Sequence, residues 1–243
     1  MIRKPTFRRF FAYIVDLLVI SIIVSAFSSL QFLNPKQKEY KEVYSEYQTY
    51  VNELSQTNPA EVFSDPKAVD LSYDLSSLGV YSSTISLVVS FLYFGVFQFF
   101  TKGRTLGKTL LGIEVISTDK KELRITQTII RSSIINSLIT SSLLIMLVLF
   151  LSKDAYLKSS VYVQVLDFAL IFVSIGMVIY RDDGVGLHDK LAHTRVVVRG
   201  ERPEEVSNVK EAKVEEKETR KEEPKKITHK KTTKKKVTKK EDE

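Results

Sequence analysis

Cysteine is missing from this chain of 243 residues, and charge is missing from four long stretches of it. The lack of cysteine excludes disulfide bonds, thiolate catalysis, cysteine-ligated clusters and a lipid-modified cysteine anchor. The uncharged stretches stand out because 27% of all residues are charged. They comprise residues 10–33, 78–100, 132–151 and 161–180. Within them, Asp16 and Asp167 are the only charged residues.

Each uncharged stretch has the length of a membrane-spanning helix. At about 1.5 Å of rise per residue, about 20 residues cross a hydrocarbon core roughly 30 Å thick. A single water-soluble core is therefore excluded. We predict an all-α membrane protein in which residues 1–200 form a domain of four transmembrane helices. An external loop at 34–77 and a cytoplasmic loop at 101–131 connect them.

The distribution of basic residues predicts that both termini face the cytoplasm, because cytoplasmic loops are enriched in lysine and arginine. Loop 34–77 has four lysines against eight acidic residues, whereas loop 101–131 has seven basic against three acidic residues. We therefore expect a multi-pass protein of the plasma (inner) membrane. Residues 1–28 also resemble a cleaved signal peptide, but Asp16 in the middle of the apolar stretch argues against cleavage.

Both loops carry recognisable patterns. In the external loop, apolar residues recur at spacings of three and four from Tyr40 to Leu54, and three of them are tyrosines. This predicts an amphipathic helix whose tyrosine face packs on the loop, lies at the lipid headgroups or binds a partner. In the cytoplasmic loop, the alternation at Ile113–Ile116 and Leu123–Ile125 predicts a small β-hairpin, with Thr194–Val198 as a third β-rich segment that could pair with it.

Residues 201–243 have mixed charge and no aromatic residue. Such a composition cannot bury enough apolar surface to fold, so we predict a disordered, lysine-rich cytoplasmic tail. Residues 225–240 contain nine lysines and no acid, which favours binding to anionic lipid or a tail that only solubilises. The candidate lipid-binding residues are Lys230, Lys231, Lys234, Lys235 and Lys236. No aromatic side chain is present to stack on bases, so no specific binding of nucleic acid is expected.

Asp16 is the most informative residue of the apolar stretches. It lies roughly 9 Å inside the first predicted span, where a carboxylate costs at least about 2.5 kcal/mol. We interpret it either as a protonatable group or as a polar contact between helices. Asp167 enters from the opposite side and either lines the same pathway or reaches water. Arg9 leans away from Asp16, so we expect it to meet lipid phosphate or another carboxylate.

Four motifs are spaced along the chain: Arg9-x-x-Ala12-x-x-x-Asp16, Gly103-Arg104-Thr105-Leu106-Gly107-Lys108-Thr109-Leu110-Leu111-Gly112, Arg131, and His188-Asp189-Lys190-Leu191-Ala192-x-Thr194. Together they resemble the RDD family of bacterial membrane proteins. The resemblance covers roughly residues 5–198 and departs from the family in the long external loop and the tail. The family is named for one arginine and two aspartates, which the resemblance places at Arg9, Asp16 and Asp189. It implies a transport role, with cation/proton exchange as one suggestion.

The expected function is therefore transport, by cation/proton exchange, with Asp16 as the protonatable group. Arg9 and Asp189 are expected at the cytoplasmic end of the ion site, paired across the bundle, and Asp167 along the same route. Four helices are few for a complete pathway, so a homo-oligomer is expected. The alternative is a non-transporting scaffold or regulator that recruits partners or anionic lipid through its external helix and basic tail.

The sequence does not predict an enzyme, a cofactor or a metal site. The segment Gly103–Thr109 looks like a phosphate-binding loop, but only three residues separate its two glycines where the motif needs four. Asp189 and His193 would share a helix face, but His188 and His193 are five residues apart and splay on a helix. A pair of nucleophile and base cannot be placed by spacing.

Overall fold

The protein is mostly helical. The computed structural model describes residues 5–119 and 122–200. The predicted tail, with its candidate lipid-binding residues Lys230 to Lys236, lies outside the described residues. The helices are α1 (Thr6–Ser28), α2 (Gln37–Thr57), α3 (Pro66–Leu78), α4 (Val80–Phe100), α5 (Leu106–Leu110), α6 (Ile125–Ile135), α7 (Leu138–Phe150), α8 (Lys153–Tyr180) and α9 (Leu187–Leu191). The strands are β1 (Ile113–Ser117) and β2 (Thr194–Val198), and a 3₁₀ turn covers Pro59–Glu61.

Among the described residues, α1, α4 and α8 are long and apolar enough to cross a membrane. α6 and α7 would together supply a fourth crossing, but they meet at a bend of 64°. The stretch predicted as a span over 132–151 is thus divided between α6 and α7 at this bend. The break lies at Ser137, whose φ of 52° places it in the left-handed region, which a right-handed helix cannot include.

Large apolar side chains cover the outer surface of these helices. Ile22 is 70% exposed, Phe168 71% and Phe172 68%. A water-soluble surface rarely presents so many large apolar groups, whereas a lipid environment favours them. Buried polar residues lie on the inner side instead, as at Asp16 and Ser174. The chain thus has the inside-polar, outside-apolar arrangement of a membrane bundle.

Part of α4 is wound as a π-helix, over Phe91–Phe97. The wider winding frees backbone carbonyls, and α6 supplies hydroxyl donors to them. Thr128 Oγ1 donates to Gly95 O and Ser132 Oγ donates to Phe94 O, each at 2.9 Å. Serine and threonine hydroxyls commonly satisfy backbone groups freed in membrane helices, and π segments are frequent at functional sites.

The two strands form one antiparallel sheet, with Ile113 opposite Val198. The predicted hairpin is wrong, because its second arm at Leu123–Ile125 is not a strand. Instead, Arg124 N donates a hydrogen bond to Gln127 Oε1 at 3.0 Å, and α6 begins directly after Arg124, at Ile125. β1 pairs with β2, the segment predicted as a third β-rich piece.

The predicted amphipathic helix of the long loop is present as α2, which packs against α3. Tyr50 donates its hydroxyl to Asp65 at 3.0 Å, and Asp65 caps α3 by accepting from Ala68 N at 2.9 Å. Lys67 Nζ lies 3.1 Å from Glu46 of α2. These contacts hold α2 against α3 within the loop itself.

Candidate functional site

Asp16 lies on α1 with only 1% of its surface exposed. Its Oδ1 accepts hydrogen bonds from Tyr93 OH at 2.7 Å and from Gly107 N at 2.7 Å. Its Oδ2 accepts from Thr105 Oγ1 at 2.5 Å. Three donors on a carboxylate stabilise its negative charge. A carboxylate offers about four lone-pair positions, so Oδ2 keeps one position for a further ligand.

Two local features bring these donors to Asp16. The π segment of α4 carries Tyr93, and the short helix α5 carries Thr105 and Gly107 against α1. Gly107 is required by this approach: a Cβ there would lie 2.1 Å from Ala12 O and 2.9 Å from Asp16 Oδ1. Any larger residue at position 107 would push α5 away from α1, because real Cβ atoms do not approach other atoms so closely.

Asp189 is the second carboxylate of the site and is fully buried. Its Oδ2 forms an ion pair with Arg9 of α1, and its Oδ1 forms one with Arg131 of α6. Arg9 Nη1 also donates to Gly184 O at 2.6 Å. Asp189 therefore ties α1, α6 and α9 together, and Arg9 meets a carboxylate across the bundle.

His188, beside Asp189, is buried against α8. Its Nδ1 hydrogen-bonds Ser174 Oγ, and its Nε2 lies 3.5 Å from Asp189 Oδ2. Burial, followed by the positive charges of Arg131, Arg9 and Lys108, lowers the pKa of His188 well below its usual range. The imidazole is consequently neutral at physiological pH.

Lys108 extends from α5 into the same region. Its Nζ donates to Gln98 Oε1 at 2.9 Å and lies 6.0 Å from the centre of the Phe94 ring. Burial, together with the positive charges of Arg131 and Arg9 and against the opposing charge of Asp16, lowers the pKa of Lys108 to about 7. A lysine near this pKa changes charge in the physiological range, which an ordinary lysine does not.

The charge balance of this site depends on Lys108. Its described ionisable groups are the cations Arg9, Lys108 and Arg131, the carboxylates Asp16 and Asp189, and the neutral His188. The group carries one surplus positive charge when Lys108 is protonated, and none when Lys108 is neutral. We call these six residues the buried charge cluster.

Asp167 belongs to a different place in the structure. Its carboxylate accepts hydrogen bonds from Ser137 Oγ and Thr140 Oγ1, both at 2.7 Å. Asp167 thus binds the break between α6 and α7, and no described hydrogen bond links it to Asp16 or Asp189. In the described part of the chain, no group of three or more His, Asp or Glu residues has the arrangement of a metal site.

These observations define a helical membrane protein that encloses a buried charge cluster. The chain belongs to the RDD family, whose family model matches residues 3–193. No curated protein and no solved structure matches the chain. The family match covers the buried charge cluster, strand β1 and the four apolar segments, and it ends directly before β2.

Three residues of the cluster, Lys108, Arg131 and His188, are absent from the site that the sequence predicts, and so is Tyr93, which donates to Asp16. Lys108, Arg131 and His188 belong to the family motifs without a predicted role in the site, and no sequence motif includes Tyr93. The signal for Arg131 lies in its position, since it directly precedes the apolar stretch 132–151 and can reach back into the bundle. Tyr93 gives no such signal, because its inward direction depends on the π winding.

Proposed function

We propose that this protein is a plasma-membrane transporter that exchanges a monovalent cation for a proton. The single observation that carries the proposal is the proximity of Lys108, whose pKa is near neutrality, to Asp16, a buried carboxylate that accepts three hydrogen bonds. In this proposal the chain crosses the membrane four times, with α6 and α7 as one broken crossing. Both termini face the cytoplasm, as the excess of basic residues in loop 101–131 favours.

The exchange follows from the charge balance of the buried charge cluster. When Lys108 carries a proton, the cluster has one surplus positive charge and repels a further cation. When Lys108 releases its proton, the cluster is neutral, and a cation binds at the open lone-pair position of Asp16 Oδ2. The occupied cluster again carries one positive charge. Protonation of Lys108 and binding of a monovalent cation at Asp16 therefore exclude each other, because each adds one positive charge to the cluster.

Arg9, Asp189 and Arg131 hold the cytoplasmic end of this site. Their ion pairs join α1, α6 and α9, so they fix the distance between Asp16 on α1 and the helices around it. Removing one partner of a buried ion pair leaves an uncompensated charge, at a cost of about 3–5 kcal/mol. We propose that these three residues position the site, while Asp16 and Lys108 bind the exchanged ions. Four helices enclose little space, so the transporter works as a homo-oligomer.

Cation-driven proton flux tests the proposal. The protein is reconstituted into vesicles containing a pH dye at pH 7.5, and Na⁺ or K⁺ is added outside. The wild type is expected to change the internal pH, Asp16→Asn to abolish the change, and Lys190→Gln, at an exposed lysine of α9, to leave it intact. Absence of proton flux in the wild type, or equal flux with Asp16→Asn, contradicts cation/proton exchange.

A second candidate function is a membrane scaffold or regulator. It is favoured by Tyr44 of α2, which remains 47% exposed on the tyrosine face of the external helix, and by the basic residues at 225–240, which suit anionic lipid. Deleting residues 201–243 separates the two candidates. If the protein is a scaffold, the deletion is expected to abolish its phenotype in cells. If it is a transporter, the remaining domain is expected to continue the exchange.

A further inference from the structure

A polar cavity of about 300 Å³ lies between α3, α4, α7 and α8, outside the buried charge cluster. Five serines, Asn136 and Tyr156 contribute the polar part of its lining. Ser83, Ser86 and Ser90 follow one face of α4, and Ser141 faces them from α7. No charged side chain is among its lining residues. Its polar groups are therefore neutral oxygens and amides.

The inner end of this cavity lies at the break between α6 and α7. Asn136, the residue just before Ser137, lines it. Asn136 Oδ1 is buried and has no hydrogen-bond partner among the described residues. A buried carbonyl oxygen without a partner costs about 1–3 kcal/mol, which a ligand that donates a hydrogen bond or carries positive charge would offset.

The electrostatics of the broken helix favour a cation at this position. The C-terminal end of α6, at Ile135, carries partial negative charge from its unpaired carbonyls. In transporters with discontinuous helices, such C-terminal ends and unwound carbonyls coordinate monovalent cations. Asp167 binds this break through Ser137 and Thr140. Neutral oxygens of serine, asparagine and backbone are also the ligands that hard cations prefer.

We infer that this cavity is an external vestibule in which a monovalent cation binds at Asn136 before it reaches the buried charge cluster. The inference rests on the proposed function and topology, which place α3 and the start of α4 on the external side. Ser90 lies three residues before Tyr93, so the deepest serine of α4 is about one turn from the donor that holds Asp16. Along α4, the serines that line the vestibule are therefore followed by Tyr93, which binds Asp16 of the cluster.

The absence of native cysteine allows a direct test by single cysteine substitution. Ser83→Cys and Ser141→Cys, both nearly isosteric, place a thiol in the vestibule. Val88→Cys places one on the same helix at a residue that is 49% exposed on the apolar surface. A membrane-impermeant methanethiosulfonate is added to the outside of intact vesicles. We expect modification of both vestibule cysteines at least tenfold faster than that of Val88→Cys.

The rate of the same cysteine modification also reports cation binding. Replacing choline by Na⁺ or K⁺ at equal ionic strength is expected to slow modification of Ser141→Cys several-fold, and an added Asn136→Ala to remove the protection without slowing modification in choline. Binding of ²²Na⁺ to purified wild type and to Asn136→Ala provides a second measurement that needs no cysteine. Unmodified vestibule cysteines, or modification rates and sodium binding that do not depend on Asn136, overturn the inference. Protection without any proton flux would instead keep the vestibule and remove the proposed exchange.

Discussion

Exchange through the buried charge cluster should increase as pH rises through neutrality. A cation binds only when Lys108 is neutral, because the cluster then carries no surplus positive charge. The pKa of Lys108 is lowered to about 7, chiefly by burial. The amine is protonated below this pKa and neutral above it. Its neutral fraction therefore rises from about 10% at pH 6 to about 90% at pH 8. The initial rate of exchange is expected to rise nearly tenfold over the same interval.

The assay is the initial rate of Na⁺- or K⁺-driven proton flux in vesicles, measured at equal internal and external pH from 6 to 8. Lys108→Gln keeps the cluster neutral at every pH, so it should bind the cation without releasing a proton, and its flux of protons should vanish. Lys108→Arg holds the positive charge permanently and should block cation binding. Lys190→Gln serves as the control and should reproduce the wild-type profile. A flat wild-type profile, or an unchanged profile in Lys108→Gln, would refute this reasoning.

Three further substitutions test how the site is held together. D189N leaves two buried arginines without their carboxylate and should lower the free energy of unfolding in detergent by about 3–5 kcal/mol, seen as a lower thermal midpoint. Gly107→Ala places a Cβ 2.1 Å from Ala12 O and should reduce both thermal stability and exchange, whereas Gly176→Ala, where a Cβ meets nothing within 4 Å, should change neither. Tyr93→Phe removes a hydrogen bond to a charged group and should cost about 1.5–3 kcal/mol; a wild-type thermal midpoint in this variant would contradict the described contact.

Much of the helical arrangement follows from the sequence because lipid imposes a simple requirement. A span needs about 20 apolar residues, and the stretches chosen on that requirement overlap α1, α4 and α8, although α8 begins at Lys153 rather than at residue 161. The same requirement says nothing about local winding. The 64° bend at Ser137 lies inside an apolar stretch whose composition fits a straight helix equally well, so the sequence does not reveal it.

The hairpin was mispredicted for a related reason. Alternation over Leu123–Ile125 is too short to distinguish a strand from the start of a helix. The decisive contact is a long-range one: Gln127 Nε2 donates to Ser117 Oγ and to His193 O, both at 3.1 Å. This side chain ties α6 to the ends of β1 and β2, and periodicity within the loop carries no information about it.

The candidate site was only partly predictable. Sequence reasoning selected Asp16 because a carboxylate in an apolar stretch is costly, and it paired Arg9 with Asp189 through a family resemblance. The role of Lys108 could not be deduced in the same way. Its position in a basic loop suggests an ordinary cytoplasmic flank, and only the fold of α5 against α1 shows that it is half-buried and bonded to Gln98.

The most direct test of the account is the number of protons released when a cation binds. Purified protein in a weakly buffered detergent solution at pH 6.5 is titrated with NaCl or KCl, with choline chloride as the ionic-strength control, and the released protons are counted with a pH indicator. We expect up to about one proton per chain for the wild type, since Lys108 is mostly protonated at this pH. We expect none for Asp16→Asn or Lys108→Gln. Cation binding without proton release in the wild type would contradict the claim that a proton and a cation compete within the buried charge cluster.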